Sequence, residues 1–200
     1  MHRMLTKGEV LELEGQDMPV IVLSDKLGSI ISWRIKRHTS GEYSHVMWMA
    51  HPGEVGDQGV LFRIRSLVDW LDGNYRLKFW RGREWGDKQR LKVADYIQGR
   101  SSRRWFRRLY DPLGIIGQRF SMRWIQLPGL YYCSEDVAVM LQELEPSFVL
   151  RRPSPADINR WCKDNPRIMK EVGVYDPNWC SMVEWQNALK IANHKPEDPE

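Results

Sequence analysis

The sequence predicts an α+β fold in which a small antiparallel sheet packs against an amphipathic helix. Short apolar segments between polar or turn residues predict strands over residues 18–23, 43–50 and 58–65. The turn-forming residues Pro52 and Gly53 lie between the second and third segments and predict that these two form a hairpin. Because the strands of a hairpin run in opposite directions, the predicted sheet is antiparallel.

The helix that packs against this sheet is predicted to begin near residue 133. Four apolar residues recur at helical spacing and form one face: Val137, Met140, Leu141 and Leu144. Ser134 occupies the position of an N-cap, and Glu135 and Asp136 follow in the first turn, where the helix dipole favours negative charge. Cys133 therefore lies at a helix N-terminus, where a thiolate is favoured and a nearby base can make it a nucleophile. The alternative is that Cys133 is a small buried hydrophobic residue.

The other elements follow from helix caps and from the alternation of apolar residues. These signals predict a strand over 75–81 and helices over 28–37, 66–73, 87–98 and 155–163, with a strand as the alternative over 28–37. The third of these helices is expected to bury Leu91, Ala94 and Ile97, and the strand is expected to expose one basic face. Ser154 followed by Pro155 is a strong start for the last helix.

The composition is that of an ordinary soluble globular protein. Its 200 residues suit one domain with a sizeable core, with 42% hydrophobic and 28% charged residues. Ten tryptophans are an unusually high number, and we expect several at a cleft or an interface. The cysteines Cys133, Cys162 and Cys180 lack metal-like spacing, which indicates free thiols. With no secretory signal and no transmembrane run, we expect the protein to start in the cytoplasm or to leave it by another route.

Positive charge is concentrated in one segment. Residues 76–108 contain twelve Lys or Arg and three acidic residues, in a chain of net charge +4. Such a segment suits an anionic partner, such as a cell-wall polymer, lipid headgroups, nucleic acid or an acidic protein, or it is only a solvated face. Trp105 and Phe106 lie among its arginines, as in nucleic-acid-binding segments. No recognised nucleic-acid motif accompanies them, so we expect no sequence-specific nucleic acid.

A histidine and a cysteine stand where thiol catalysis needs them. His45 lies on a predicted strand, and Cys133 begins a predicted helix. A Cys–His pair oriented by a third polar group is the general form of an activated thiol nucleophile. The predicted hairpin register points to Gln58 as the third residue, with its side-chain oxygen accepting from the His45 ring. Asp57 and Glu54 compete for this role, and Gln58 can equally be a solvated loop residue.

Four short motifs accompany these residues: Tyr43-Ser44-His45-Val46, Tyr110-Asp111-Pro112-Leu113-Gly114, Tyr132-Cys133-Ser134-Glu135 and Ser154-Pro155-Ala156-Asp157. On these motifs the chain resembles the circularly permuted NlpC-type cysteine hydrolases of the papain-like clan, in particular the bacterial YiiX-type branch. The resemblance covers about residues 18–160. Each motif is weak alone, but four in the right order are fairly specific.

The resemblance implies a permuted papain-like fold over residues 1–165, with residues 166–200 as a C-terminal extension. It implies that Cys133 is the nucleophile and His45 the base of a thiol-dependent peptidase or amidohydrolase. Cell-wall peptide (peptidoglycan) is the leading substrate, and esters and thioesters stay open. No cofactor or metal is expected. A neutral Gln58 stabilises an imidazolium less than a carboxylate does, so Gln58 as the third residue implies a weaker enzyme.

A second interpretation is a non-catalytic structural or docking protein that retains the fold, for example in a bacterial virus particle. Without a secretory signal, wall hydrolysis would need lysis, a delivery machine or packaging in a particle. Residues 166–200 lie outside the resemblance and, with the many tryptophans, suit docking to a protein partner. A degraded third catalytic residue would favour this interpretation.

Overall fold

A six-stranded antiparallel sheet forms the centre of the fold. The computed structural model describes residues 2–13, 17–59, 61–104, 108, 132–183 and 186. The strands are β1 (Val20–Lys26), β2 (His45–His51), β3 (Glu54–Gln58), β4 (Phe62–Ser66), β5 (Tyr75–Gly82) and β6 (Met169–Tyr175). They lie in the order β4-β3-β2-β1-β5-β6, and each neighbouring pair is antiparallel. The predicted α+β class and the antiparallel sheet are thereby confirmed.

Helices cover both faces of this sheet. They are α1 (Lys7–Leu11), α2 (Ile30–Thr39), α3 (Val68–Leu71), α4 (Asp87–Ser101), α5 (Cys133–Leu144) and α6 (Pro155–Asp164). Residues of α4, α5 and α6 share one buried cluster with Trp48 of β2. Residues of α1 and α3 share another with Met47 of the same strand. Within the described ranges, no helix has both the length and the apolar character that crossing a membrane requires.

The strand that follows the predicted hairpin turn differs from the prediction. Gly53 has a φ of +75°, a conformation that glycine adopts readily, and β3 begins at the next residue, Glu54. The single strand predicted over 58–65 is wrong, because Gln58 ends β3 and pairs with Phe62 of β4 across a second hairpin. Since side chains alternate along a strand, this change decides which residue of β3 faces each side of the sheet.

The strand predicted over 75–81 is found as β5, but it does not have an exposed basic face. β5 lies between β1 and β6, so that it is not an edge strand. Lys78 is fully buried, and its Nζ lies 2.8 Å from a carboxylate oxygen of Glu171 in β6. β6 was not predicted from the sequence. Its Glu171 pairs with Lys78, which was predicted to be solvated and is buried instead.

The helix predicted over 87–98 is found as α4, with a different inner face. Val93, Ile97 and Arg100 are buried, whereas Leu91 is 55% exposed. The prediction for Ile97 is thus confirmed and the one for Leu91 is wrong. The three buried residues follow the spacing i, i+4, i+7 of one helical face, and an arginine occupies the last of these positions.

Residues 169–175 complete the sheet as β6. This strand pairs with β5 along its whole length. The predicted domain boundary at residue 165 falls between α6 and β6, and residues 169–175 of the predicted C-terminal extension form the sixth strand of the sheet. Charged residues and Gly173 interrupt the apolar alternation here, which hides the strand pattern. Residues 187–200, and with them the docking role predicted for the end of the chain, lie outside the described residues.

Tryptophan side chains join the helices to the sheet. The buried Trp48 indole donates to a backbone carbonyl of α5 at 3.3 Å, and Trp85 donates to Glu145, just after α5, at 2.7 Å. The ring centroids of Trp48 and Trp85 lie 5.7 Å apart. Trp80 donates to Asn159 of α6 at 3.1 Å. These tryptophans lie in the core, where their N–H groups fix the positions of α5 and α6.

We predict that Gly56→Ala destabilises the fold. A Cβ at Gly56 in β3 would approach Ile97 of α4 to 2.8 Å and Phe62 to 3.0 Å. Moving these buried side chains should lower the free energy of unfolding, measured by urea denaturation, by about 1–3 kcal/mol. The matched control is Gly99→Ala at an exposed position of α4, where a new Cβ meets nothing within 4 Å. There alanine should raise stability by about 0.5–1 kcal/mol, and equal effects at the two positions would contradict the packing argument.

Candidate active site

His45 begins β2 at the polar end of a buried strand. It lies opposite Ser24 of β1, and the five residues that follow it in β2 are all buried. Its side chain is 23% exposed, so that the ring is mostly enclosed by protein but still reaches solvent. The apolar run after His45 fixes the backbone of this strand and so holds the histidine in place.

Asp57 of β3 is the carboxylate that faces His45. Its Oδ1 lies 2.6 Å from Nε2 of His45, and its side chain is only 6% exposed. Nη1 of Arg65 lies 3.6 Å from the other carboxylate oxygen. Burial raises the pKa of Asp57, but the hydrogen bond and charge of His45, together with Arg65, outweigh burial and hold the pKa below its usual range. Glu54 is exposed at the opposite end of β3, about 10 Å along the strand from Asp57.

Cys133 is the first residue of α5, as the sequence predicts, and its side chain is buried. The Cys133 sulfur lies near enough to the His45 ring to raise the pKa of that ring. Nε2 of the ring is bonded to Asp57, so that Nδ1 is the ring nitrogen left for a thiol. The order of thiol, imidazole and carboxylate is the one that an activated thiol requires.

The surroundings of His45 raise the pKa of its ring. Burial of the ring works to lower the pKa of His45, but attraction to the Cys133 sulfur and the hydrogen bond to Asp57 raise it well above its usual range. The imidazolium therefore stabilises the folded state below the usual histidine pKa, and this contribution is lost as pH rises through the raised value. The Asp57 carboxylate contributes above the usual aspartate pKa, and this contribution is lost as pH falls through the lowered value.

Gln58 does not contact His45, so the prediction of Gln58 as the third site residue is wrong. Gln58 follows Asp57 on β3 and so points to the opposite face of the sheet. Its Oε1 accepts a hydrogen bond from Nη2 of Arg100 at 2.9 Å, and its Nε2 donates to the backbone carbonyl of Arg108 at 3.1 Å. The pairing of Trp48 with Gly56 places Asp57, and not Gln58, on the face of β3 that His45 shares.

A buried network connects Gln58 to the helix that carries Cys133. Nε of Arg100 lies 2.7 Å from Oδ1 of Asp136 in the first turn of α5, and both side chains are buried. The Tyr96 hydroxyl donates to the same carboxylate oxygen at 2.9 Å. Burial raises the pKa of Asp136, and Arg100 and Tyr96 offset part of that rise. This network was not predicted from the sequence. The i, i+4 spacing of Tyr96 and Arg100, which puts both on one face of α4, was the signal that could have indicated it.

The first turn of α5 is capped differently from the prediction. Tyr132 is the N-cap, and its side chain makes no capping hydrogen bond. The prediction of Ser134 as N-cap is wrong, because this residue lies inside the helix and its hydroxyl donates to the backbone carbonyl of Pro153 at 2.6 Å. That bond joins the start of α5 to the segment before α6, where Ser154 and Asp157 form the predicted cap.

Half of the twelve cations in the basic segment over 76–108 form ion pairs with carboxylates. Six of its cations face carboxylates: Arg76 with Asp25, Lys78 with Glu171, Arg81 with Asp17, Arg90 with Asp87, Lys92 with Glu143 and Arg100 with Asp136. Lys78 and Arg100 are buried. Trp105 and Phe106 lie outside the described residues. Binding of an anionic surface through this segment stays a prediction, and fewer of its cations face solvent than the sequence count indicates.

No protein-family model, curated protein or solved structure matches this chain. In the part of the chain that the structure describes, no group of three or more His, Cys, Asp or Glu side chains is arranged to hold a metal ion. The Cys133, His45 and Asp57 side chains and the motifs around them therefore carry the functional conclusion.

We predict that Asp57→Asn lowers the pKa of His45. The substitution removes the negative charge 2.6 Å from Nε2 while leaving a side chain of the same shape. The ring pKa should be measured by NMR titration, with the His45 resonance assigned from a His45→Gln variant. The matched control is Glu54→Gln, which removes an exposed carboxylate from the same strand and should leave the His45 pKa unchanged. An equal response to both substitutions would contradict the assignment of Asp57.

Proposed function

We propose that this protein is a cysteine hydrolase in which Cys133 is the nucleophile, His45 the general base and acid, and Asp57 the orienting carboxylate. The observation that carries the proposal is the position of the His45 ring. Its Nε2 lies 2.6 Å from Asp57, and the Cys133 sulfur is near enough to the ring to raise the pKa of the ring. A nucleophile, a base and a carboxylate in this order can activate a thiol, because the carboxylate holds the ring orientation and stabilises the imidazolium.

The proposed reaction is acyl transfer through a thioester. The Cys133 sulfur attacks a substrate carbonyl, and backbone N–H groups in the first turn of α5 stabilise the oxyanion. His45 then gives its Nδ1 proton to the leaving amine as the carbon–nitrogen bond breaks. In the second half, His45 takes a proton from water, the hydroxide attacks the thioester, and the acid product leaves as the thiol is restored.

The positions of the sequence motifs support a relationship to the permuted NlpC-type hydrolases. The Tyr-Ser-His-Val motif begins β2, and the Tyr-Cys-Ser-Glu motif begins α5. The Ser-Pro-x-Asp motif begins α6, next to Pro153, which accepts the Ser134 hydrogen bond. Three of the four motifs thus lie around one site. The fourth, which begins at Tyr110, lies outside the described residues.

The resemblance makes amide bonds the first substrate class to test, with cell-wall peptide as the leading example. Thioester and ester substrates pass through the same acyl intermediate and belong in the same screen. Asp57 in place of a neutral orienting group favours an active enzyme, since a carboxylate stabilises the imidazolium more strongly. A degraded third residue would have favoured the non-catalytic interpretation, and a carboxylate beside His45 does not favour it.

We expect Cys133 to react with iodoacetamide at about pH 6 faster than an ordinary thiol does, because the proposed catalytic pair places the His45 imidazolium beside it. The reaction should be followed in a Cys162→Ala, Cys180→Ser background. Alanine suits residue 162 because that side chain is fully buried and a serine hydroxyl there would lack water.

The comparison that decides this prediction is His45→Ala in the same background. There the alkylation rate should fall steeply below the ordinary thiol range near about pH 8.5. Identical pH profiles with and without His45 would refute the ion pair. They would favour a binding or structural role for the protein.

We also predict the order of activities among variants once a substrate is found in a screen of cell-wall peptides, acyl esters and thioesters. Cys133→Ala should abolish turnover. Asp57→Asn should lower kcat by about 100-fold or more, because the orienting negative charge is lost. Glu54→Gln, the matched carboxylate on β3, should retain the wild-type rate. Full activity in Asp57→Asn would show that His45 does not need this carboxylate.

A further inference from the structure

The outer face of α2 exposes three large apolar side chains. Ile30 is 71% exposed, Ile31 72% and Trp33 52%. Ser32, between them, is buried and is hydrogen-bonded to the Ser44 hydroxyl at 2.8 Å. The helix therefore turns its small polar residue toward the protein and its large apolar residues toward solvent, which is the reverse of the usual pattern of a surface helix.

Cations accompany these apolar residues, and acids do not. Arg34, Arg37 and His38 are exposed on the same side of α2, and the helix contains no Asp or Glu. The Arg37 guanidinium lies 5.3 Å from the centroid of the Trp33 ring. The helix positions 30, 33, 34 and 37 have the spacing i, i+3, i+4, i+7, so that one continuous face carries both the apolar and the basic groups.

The residues are also ordered along the helix axis. The two isoleucines occupy the first turn, Trp33 and Arg34 follow, and Arg37 comes about 10 Å further along the axis than Ile30. A helix that meets the bilayer with its first turn foremost would place these groups at the depths that a bilayer surface favours: aliphatic groups among the acyl chains, tryptophan at the boundary and arginine among the headgroups. A protein partner would not require this gradient.

We propose that the outer face of α2, formed by Ile30, Ile31, Trp33, Arg34 and Arg37, docks on an anionic lipid bilayer surface. The isoleucines and tryptophan enter the headgroup–acyl boundary, and the arginines bind lipid phosphates. The inner face of α2 is held by the Ser32–Ser44 bond and by Lys36, whose Nζ lies 2.6 Å from Asp25. Docking thus needs no rearrangement of the helix.

The helix that carries the proposed docking face is bonded to the strand that carries His45. Ser44, which bonds Ser32 of α2, is the residue before His45. A second exposed apolar pair, Val149 and Leu150, precedes Arg151 in the segment that also bonds the start of α5 through Pro153. The strand of His45 and the helix of Cys133 are thus each bonded to an element that exposes apolar and basic groups. The docking proposal goes beyond the proposed hydrolysis and does not depend on it, because binding is measured without turnover.

The test is flotation of the full chain with lipid vesicles in a density gradient. Vesicles of phosphatidylcholine with phosphatidylglycerol provide the anionic surface, and pure phosphatidylcholine vesicles provide the neutral one. We expect the protein to float with the anionic vesicles, to remain at the bottom with the neutral ones, and to be released by high salt. Soluble glycerol phosphate should not compete, since a headgroup alone does not take up the apolar residues.

Two variants separate the apolar and basic contributions. Ile30→Gln, Ile31→Gln, Trp33→Gln keeps good helix formers in α2 and should lower the partition coefficient by at least about tenfold. Arg34→Gln, Arg37→Gln should lower it by about tenfold or more. The comparison variant is Lys88→Gln, Leu91→Gln on α4, which removes a cation and a 55% exposed leucine from the basic segment over 76–108. It should leave partitioning unchanged if α2 is the docking face, and a loss would assign the binding to the basic segment. Each variant should unfold at the wild-type temperature.

Three results would overturn the proposal. The first is equal flotation with neutral and anionic vesicles. The second is equal loss of binding in the α4 control. The third is an absence of vesicle flotation together with a monomer–dimer equilibrium, seen by analytical ultracentrifugation, that the α2 apolar variant abolishes. This result would show that a second copy of the chain occupies the face. Normal alkylation of Cys133 in the α2 variants would show that a loss of flotation does not come from a damaged site.

Discussion

The buried ion pair between Arg100 and Asp136 is the contact on which the geometry of the site depends. Its atoms lie 2.7 Å apart, and both side chains are buried. Removing two charges from water costs several kcal/mol, and their attraction offsets this only when their other hydrogen-bonding groups are also satisfied. Gln58 and Tyr96 provide those partners. Because these residues come from β3, α4 and α5, the network fixes the first turn of α5, and with it Cys133, against the sheet.

β3 uses its two faces for two different tasks. On one face Asp57 orients His45, and on the other Gln58 belongs to the buried network that holds α5. A shift of the strand by one residue would turn the Asp57 carboxylate and the Gln58 amide each to the opposite face of the sheet. Two glycines oppose such a shift: Gly53 lies in the turn directly before β3, and Gly56 lies where a side chain would collide with α4.

Local signals account for what could be predicted from the sequence. The apolar run after His45 and the helical spacing after Cys133 each lie within a dozen residues, and both elements are found where those patterns place them. The third site residue could not be settled, because the choice between Asp57 and Gln58 depends on the length of a turn. β6 and the inward position of Arg100 depend on partners that are distant in sequence, and no local pattern reports them.

Local patterns and distant partners also differ in what they reveal about the charged residues. A count along the chain locates most of the cations over residues 76–108, yet pairing with carboxylates is a property of the folded protein, and it takes Lys78 into the interior. α2 contains fewer cations, but its inner face is occupied by Ser32 and Lys36, so that its arginines lie on the outside beside three exposed apolar side chains. Which basic residues can meet an anionic partner therefore depends on where the folded protein places their side chains and not on how many cations a segment contains.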